Sequence, residues 1–226
     1  MTYGKMADLY DVLMQHAPYD KWVDFTEEIF RMADRPVNRI IDLGCGTGEV
    51  TLRLAEKGYS MTGVDNSEMM LTRAAFKADQ NNISIDWFLQ DIRELQGFAG
   101  YDAAISYCDV INYITEPEDI AKSFQRIYYS LKSGGIFLFD VHHMPYILEN
   151  YIDETSAEVT DDASYIWFCS PGEELGEMYH DLTFFYLSEG KYERFDEQHH
   201  QRTYPIEFYK KLLQDSGFEN IKVYAD

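Results

Sequence analysis

The chain has 226 residues, of which 46% are apolar, and this is enough for one domain with a substantial core, or for one domain with a cap. Its formal net charge of −21, from 40 acidic and 19 basic residues, disfavours nucleic-acid binding, which needs lysine and arginine against phosphates, and suits a neutral or cationic small molecule better. The three cysteines are widely spaced, which predicts a cytoplasmic protein without disulfides. The charged start predicts that there is no signal peptide, and the lack of an apolar run of about eighteen residues predicts no membrane contact. The oligomeric state is left open.

The first part of the chain is predicted to be helical. Residues 3–33 carry apolar side chains at helical spacing, with a break near Pro18. This pattern predicts two helices that pack on the domain.

The next segment predicts a ligand-binding turn between a strand and a helix. Ile40, Ile41 and Leu43 form a β-type run, three glycines alternate over residues 44–48, and the pattern is helical from Glu49. Glycine permits positive φ and close approach of a ligand to the backbone, and a helix start offers free N–H groups. The segment therefore predicts a cofactor site, although such a turn also occurs without a ligand.

Two common nucleotide motifs fit this turn poorly. The dinucleotide fingerprint G-x-G-x-x-G places its third glycine one residue later, and Glu49 stands where a phosphate-binding loop has lysine. An NAD-dependent oxidoreductase remains an alternative, because such enzymes also have a glycine turn of this kind and an acidic residue after the second strand of the sheet.

The segment Asp42-Leu-Gly-Cys-Gly-Thr-Gly48 resembles the first motif of the class I S-adenosylmethionine-dependent methyltransferases. The resemblance implies S-adenosyl-L-methionine as cofactor, S-adenosyl-L-homocysteine as product, and a cofactor site that includes Asp42, Gly44, Gly46 and Gly48. It also implies that an N-terminal segment with a Tyr-Asp pair, Tyr10-Asp11 here, folds over the cofactor, with Tyr10 and Tyr3 as the residues that would touch it.

Ser60–Asp65 is predicted as the second strand, with Asp65 at its carboxyl end, where open α/β sheets bind ligands. A carboxylate about twenty residues after the glycines can accept hydrogen bonds from both ribose hydroxyls. The alternative is that Asp65 only caps the next helix, predicted over Glu68–Ala78 with Ser67 as its N-cap. The resemblance also places Asn66, Ser67 and Met69 beside the ribose or adenine.

Ile83–Leu89 alternates like a third strand, and Gln90-Asp91-Ile92 follows it. These residues resemble the third signature of the family, in which the aspartate accepts from the adenine amino group and the next apolar residue packs on the ring. Asp91 could equally be an ordinary turn residue.

Tyr101–Ser106 is predicted as the fourth strand, adjacent to the first. Polar residues follow it where the reactive methyl group should lie. Asp109, Asn112 and Tyr113 are candidates to position or deprotonate the nucleophile, and Asp109 is also a candidate for the cofactor site. The alternatives are that Asn112 caps backbone groups and that Tyr113 only packs.

A helix is predicted from Pro117, followed by a fifth strand within Leu131–Asp140. The Lys-x-Gly-Gly turn at Lys132–Gly135 is typical of the same family.

The α/β pattern stops near residue 142, and antiparallel strands are predicted within residues 157–204. They are Tyr165–Cys169, Met178–Leu187 and Lys191–Tyr204. Residues 149–200 hold fourteen acidic and two basic residues, which is −12 of the total charge. This insertion resembles the substrate cap of glycine- and sarcosine-type N-methyltransferases.

Glu197 and His199 share one face of the last of these strands and are candidates for substrate contact, although histidines on a solvated strand are also ordinary. His142 and His143 follow the fifth strand. No histidine spacing such as H-E-x-x-H predicts a metal site.

An amphipathic helix is predicted from Pro205 to Ser216, ended by Gly217, and then a strand over Phe218–Tyr224. Relatives usually end in a reversed pair of strands, so one edge element is missing here or is replaced by the cap.

The combined prediction is a doubly wound, mainly parallel α/β sheet with helices on both faces and an antiparallel cap inserted after strand five. A single domain is divided into an N-terminal lid (1–35), a cofactor-binding core (36–148), a cap (149–204) and a return to the core (205–226).

The expected reaction is in-line methyl transfer to an N or O nucleophile of a small molecule. It depends mainly on alignment at about 3–3.5 Å with water excluded. No catalytic triad is expected; Asn112, Tyr113, Glu197 and His199 are the candidate positioning residues. A methyltransferase acting on a protein or tRNA, and a non-catalytic S-adenosylmethionine-binding protein, remain alternatives.

Overall fold

The computed structural model describes residues 11, 14, 17–160, 163–188 and 190–225. The first predicted helix lies almost wholly outside the described residues, and so do Tyr3 and Tyr10. Within the described part of the chain, no helix is both long and apolar enough to cross a membrane.

Five parallel strands form the main sheet, in the order β3-β2-β1-β4-β5. Their bounds are β1 Arg39–Leu43, β2 Ser60–Asp65, β3 Asp86–Leu89, β4 Tyr101–Ser106 and β5 Leu131–Phe139. The predicted doubly wound sheet, with β4 beside β1, is confirmed. β3 begins three residues later than predicted, because the Ile83 N–H donates to the Ala78 carbonyl oxygen at the end of the preceding helix.

Helices cover both faces of this sheet. They are α1 Tyr19–Arg31, α2 Glu49–Glu56, α3 Glu68–Gln80, α4 Pro117–Ser130, α5 Met144–Asn150 and α6 Ile206–Ser216, with short 3-10 helices at Ile92–Glu94 and Val110–Tyr113. Ser67 is the N-cap of α3 as predicted, since its Oγ accepts from the Met70 N–H. One core cluster packs α1 and α2 on one face of the sheet, and a second packs α4 and α6 on the other.

The predicted Lys132–Gly135 turn lies inside β5 as an irregularity. Leu131 pairs with Tyr101, and the next pair joins Ile136 to Ala103, so four residues of β5 interrupt the ladder. Gly134 has φ +74°, which glycine adopts without steric cost.

A second, antiparallel sheet follows β5, and we call it the cap sheet. Its order is β6-β7-β8-β9, with β6 Thr155–Val159, β7 Ala163–Pro171, β8 Glu177–Ser188 and β9 Lys191–Arg202. The three predicted strands are confirmed. β6 was not predicted, because all five of its residues are exposed and show no buried-exposed alternation.

The end of the chain confirms one prediction and corrects another. α6 ends at Gly217, whose φ of +102° is left-handed. The predicted strand over Phe218–Tyr224 is wrong: the structure assigns no strand there. Phe218 instead packs on Phe137 and Tyr128, with ring centroids 5.7 and 5.2 Å away, so its apolar character reflects packing and not pairing.

Candidate active site

Three glycines with positive φ form the turn after β1, and the space around their Cα atoms differs. A Cβ on Gly44 would lie 2.4 Å from a methyl carbon of Val110, and one on Gly48 would lie 2.9 Å from the Trp87 ring. A Cβ on Gly46 would meet no atom of the described residues within 4 Å. Gly44 and Gly48 therefore permit close packing, whereas Gly46 faces open space that a ligand can enter.

Asp65 lies at the carboxyl end of β2 and is bonded to the glycine turn. Its Oδ2 accepts from the Gly46 N–H at 2.8 Å, and its Oδ1 accepts from the Ser67 N–H at 2.8 Å. Burial raises the pKa of this carboxyl. Asp65 thus bonds both the glycine turn and the start of α3, and it is 9% exposed. Beside it, Asn66 is exposed and Met69 is half-buried.

Asp42 lies beneath the turn. It is 4% exposed and accepts from the Thr51 hydroxyl at 2.5 Å, which links β1 to α2. Burial raises its pKa to about 7, and the nearby Asp65 carboxyl adds to this. Its observed role is to hold the turn in place from below.

Asp91 follows β3 but bonds its own neighbour. Its carboxylate accepts from both the backbone N–H and the guanidinium of Arg93, with bonds of 2.6–3.0 Å. The side-chain hydrogen bond from Arg93 lowers its pKa. Ile92 is 8% exposed and belongs to the core. The turn-residue alternative accounts for the geometry of Asp91, so an adenine contact by either residue remains a prediction.

Asp11 is a site residue that the sequence indicated only as the neighbour of Tyr10. It accepts from the Thr47 hydroxyl at 2.6 Å, from Arg73 Nε at 3.0 Å and from Lys77 Nζ at 3.1 Å. Thr47 belongs to the glycine turn, and the two cations belong to α3. Asp11 therefore links the glycine turn to α3.

The segment after β4 is held by Asp140, which sequence reasoning did not single out. The N–H groups of Cys108 and Asp109 donate to the two Asp140 oxygens at 3.2 and 3.0 Å. Both of these donors have positive φ, at +62° and +51°. Burial raises the pKa of Asp140 to about 6. A carboxylate that bonds a left-handed loop stabilises a conformation that non-glycine residues seldom adopt.

Asn112 is fully buried, and both ends of its amide are engaged. Its Nδ2 donates to the Arg202 carbonyl oxygen at 2.9 Å, and its Oδ1 accepts from the His142 N–H at 3.0 Å. The structure thus favours the alternative that Asn112 caps backbone groups. It connects the ends of β4, β5 and β9, and both ends of its amide already bond the protein's own backbone.

Asp109 takes part in a second connection to the cap sheet. The Gln201 amide donates to Asp109 Oδ2 at 2.6 Å, and Gln201 Oε1 lies 3.1 Å from His180 Nε2. Trp167 Nε1 donates to His180 Nδ1 at 2.9 Å, so the His180 hydrogen is on Nε2 and donates to Gln201. His142 Nε2 also lies 3.4 Å from Asp109 Oδ2. These contacts place β7, β8 and β9 at the carboxyl edge of the parallel sheet.

Tyr113, His199 and Glu197 form a hydrogen-bonded line. The Tyr113 hydroxyl lies 3.0 Å from His199 Nδ1, and His199 Nε2 lies 3.1 Å from Glu197 Oε2. The sequence identified each of these residues as a candidate, but it did not indicate that they contact one another, and their catalytic role remains a prediction. Their connection joins residues 86 positions apart and has no local sequence signal. His143, by contrast, is exposed at the start of α5.

The fold and this site define a class of protein: an α/β enzyme whose parallel sheet offers an open glycine turn and a carboxylate to a nucleoside-type cofactor. A protein-family model described as "Methyltransferase domain" matches residues 40–135. A protein named as a methyltransferase, YqeM of Bacillus subtilis, is 43% identical over 228 residues, covering 100% of this chain and 90% of that protein.

A solved S-adenosylmethionine-dependent methyltransferase from Clostridium acetobutylicum has a TM-score of 0.86 and 29% identity, and the match covers 96% of this chain and 87% of that one. A more distant relative is a glycine/sarcosine N-methyltransferase of Aphanothece halophytica, 27% identical over 86% of this chain and 71% of that protein. The chain belongs to the class I S-adenosylmethionine-dependent methyltransferases and is an enzyme that uses S-adenosylmethionine. The resemblance noted in the sequence is confirmed.

The residues present fit this cofactor. Gly46 leaves space at the turn, Asp65 is an acceptor at the end of β2, and the start of α2 follows directly. None of the described side chains would contact a Cβ at position 46, so the approach to the backbone is clear.

Proposed function

We propose that this enzyme transfers the methyl group to a nitrogen or oxygen nucleophile of a small molecule held between the carboxyl edge of the parallel sheet and the cap sheet. The observation that carries the proposal is the attachment of the end of β9 to the segment after β4, through Gln201 with Asp109 and Arg202 with Asn112. That segment also packs on the glycine turn, where Val110 meets Gly44. The acceptor region and the cofactor region therefore adjoin.

When bound, S-adenosylmethionine supplies an electrophilic methyl carbon on a sulfonium that leaves readily. The chain itself would bind it at Gly46 and Asp65, with Asn66, Ser67 and Met69 beside the nucleoside. Asp11 would support the turn from its edge through its bond to Thr47.

Three observations support a small, neutral or cationic acceptor. The net charge of −21 repels polyanions such as tRNA. Residues 149–200, which make up most of the antiparallel cap (proposed as residues 149–204), carry −12 of that charge. The distant relative from Aphanothece halophytica is named for methylation of glycine and sarcosine, which are small amines.

The cofactor site is tested with Asp65→Ala and, for comparison, with Asp91→Ala at the other predicted cofactor carboxylate. Removing Asp65 takes away the acceptor beside Gly46, and we expect an affinity loss for S-adenosylhomocysteine of about 100-fold, roughly 2.7 kcal/mol, in calorimetry. Asp91 bonds Arg93, and its removal should cost about tenfold at most. Unchanged affinity in Asp65→Ala would refute this assignment.

The acceptor class is tested by incubating the enzyme with S-adenosylmethionine labelled in its methyl group. Glycine, sarcosine, glucosamine and catechol serve as small acceptors, and bulk tRNA and a bacterial protein extract as large ones. Label in a small acceptor supports the proposal. Label confined to tRNA or to protein would refute it and would favour the macromolecular alternative.

A further inference from the structure

The line of Tyr113, His199 and Glu197 connects the 3-10 helix after β4 to the cap sheet. Tyr113 belongs to the same short helix as Val110, which packs on Gly44 of the cofactor turn. His199 and Glu197 stand on β9 and face Tyr113. The Tyr113 phenol, the His199 imidazole and the Glu197 carboxylate therefore form a hydrogen-bonded series between the proposed cofactor-binding region and the proposed acceptor-binding region.

The hydrogens along this line point in one direction. The neutral tautomer of His199 with its hydrogen on Nε2 donates that hydrogen to the Glu197 carboxylate. His199 Nδ1 is then an acceptor, and the Tyr113 O–H donates to it. The Tyr113 oxygen also interacts with the Gln201 amide, and its remaining lone pair can accept from another donor, such as an acceptor molecule's N–H or O–H.

The exposure of the three side chains suits a path from the site to water. Tyr113 is 46% exposed, and the side chains of His199 and Glu197 are 31% and 19% exposed. Partial burial, with the nearby carboxylates of Asp109 and Glu197, raises the pKa of the Tyr113 phenol. Because its pKa is raised, the Tyr113 phenol stays protonated. It can therefore transfer a proton between its neighbours, but it does not act as a phenolate base.

We propose that Tyr113, His199 and Glu197 are a proton relay that removes the acceptor's proton during methyl transfer. The inference rests on the proposed small-molecule function. It makes Tyr113 a catalytic residue and makes His199 and Glu197 residues that act through it.

The step balances as follows. The acceptor's lone pair forms the new bond to the methyl carbon, and the carbon–sulfur bond breaks with its electrons left on sulfur. The acceptor's proton moves to the Tyr113 oxygen, whose own proton moves to His199 Nδ1. Glu197 stabilises the resulting imidazolium, which then releases one proton to water.

An acceptor that binds as an ammonium ion loses its proton by the same route before it can attack. An alcohol or phenol loses its proton during the transfer.

A matched set of controls lies on the opposite face of the same strand. His200 Nε2 lies 2.7 Å from Glu177 Oε1, and the His200 ring stacks on Tyr179 with centroids 4.4 Å apart. This second tyrosine, histidine and glutamate belong wholly to the cap sheet. Their removal perturbs β8 and β9 in the same chemical way without touching the proposed relay.

The experiment compares Tyr113→Phe, His199→Gln and Glu197→Gln with Tyr179→Phe, His200→Gln and Glu177→Gln. Glutamine at 199 can accept from Tyr113 and donate to Glu197, but it cannot carry a proton through. Steady-state kinetics with the best small acceptor of the panel, in H₂O and in D₂O, give kcat, KM and the solvent isotope effect. Calorimetry with S-adenosylhomocysteine gives the cofactor affinity.

We expect Tyr113→Phe and His199→Gln to lower kcat about 100-fold, which is typical of lost proton transfer, with KM and cofactor affinity nearly unchanged. The solvent isotope effect of the parent should change in both variants, and the three control variants should keep the kcat of the parent. A kcat within about twofold of the parent in both Tyr113→Phe and His199→Gln would overturn the relay. An equal loss in the control variants would overturn it as well, because the cause would then be cap stability.

Failure of the underlying function is distinguishable from failure of the relay. A parent enzyme that binds S-adenosylhomocysteine but labels no small acceptor refutes the proposed function, and the relay falls with it. A parent that labels a small acceptor while the relay variants stay fully active refutes the relay alone.

Discussion

Gly44 and Gly46 stand two residues apart in one turn, and the structure predicts opposite consequences of giving each a methyl group. Both have left-handed φ, +73° and +54°, where a Cβ costs about 1–2 kcal/mol. At position 46 the added carbon meets no atom of the described residues within 4 Å, so the backbone cost is the whole cost. At position 44 it would lie 2.4 and 2.7 Å from the two methyl carbons of Val110, and overpacking adds about 1–3 kcal/mol.

Gly46→Ala should therefore lower the melting temperature by about 2–6 °C, and Gly44→Ala by about 5–15 °C, in thermal unfolding without ligand. Affinity should show the reverse order. The methyl group added at position 46 would occupy the open side of the turn, and we expect affinity for S-adenosylhomocysteine to fall at least about tenfold in calorimetry. Gly44→Ala, measured below its melting temperature, should lose less.

The reasoning would be refuted if Gly46→Ala bound S-adenosylhomocysteine as tightly as the parent. It would be refuted equally if Gly44→Ala melted at the temperature of Gly46→Ala, because the contact with Val110 would then be absent in solution. The N–H of residue 46 is retained in the alanine variant, so loss of the hydrogen bond to Asp65 does not confuse the comparison.

Two further predictions concern stability. Burial raises the pKa of Asp42 to about 7, so the folded state binds this proton more tightly than the unfolded state does. The stability contributed by Asp42 is therefore present at low pH and is lost as the pH rises through about 7. Between pH 6 and pH 8.5 the loss is about 1–2 kcal/mol, which Asp42→Asn should remove; parallel pH profiles of the unfolding free energy for variant and parent would contradict this. Asn112→Ala leaves the buried Arg202 carbonyl and His142 N–H without their partner. The free energy of unfolding, measured with denaturant, should fall by about 2–4 kcal/mol. A loss below about 0.5 kcal/mol would show that the two groups find other partners.

Local signals in the sequence were sufficient for the cofactor half of the molecule. The glycine turn, the Ser67 N-cap and Asp65 at the end of β2 each depend on backbone geometry within a few residues, and the structure has all three. The parallel order of the strands followed from the same alternation of strands and helices. Asp91 shows the limit of motif reasoning, because the hydrogen bonds from Arg93 two residues later account for its geometry without a ligand.

The acceptor half was visible only as separate candidates. Glu197 and His199 were expected on one face of a strand, and Tyr113 after β4, but nothing in their local sequence relates one to the other. Asp140 and Asn112 are also ordinary residues in the sequence, and each acquires its role by bonding backbone groups of segments brought together by the fold. The exposed strand β6 and the packing of Phe218 were missed for the same reason, since their structure depends on distant partners.

The amino-acid sequence by itself determined the positive-φ turn and the acidic strand end, because these features depend mainly on residues close together in the chain, and its alternation of strands and helices predicted the doubly wound sheet. Only the tertiary structure decided that, among the described residues, Gly46 has open space where Gly44 and Gly48 have close neighbours, and that a tyrosine, a histidine and a glutamate meet in a line. The second of these facts depends on the register of β9 and on how the cap sheet packs against the segment after β4. That packing sums many contacts between residues about 90 positions apart, and no local pattern encodes it.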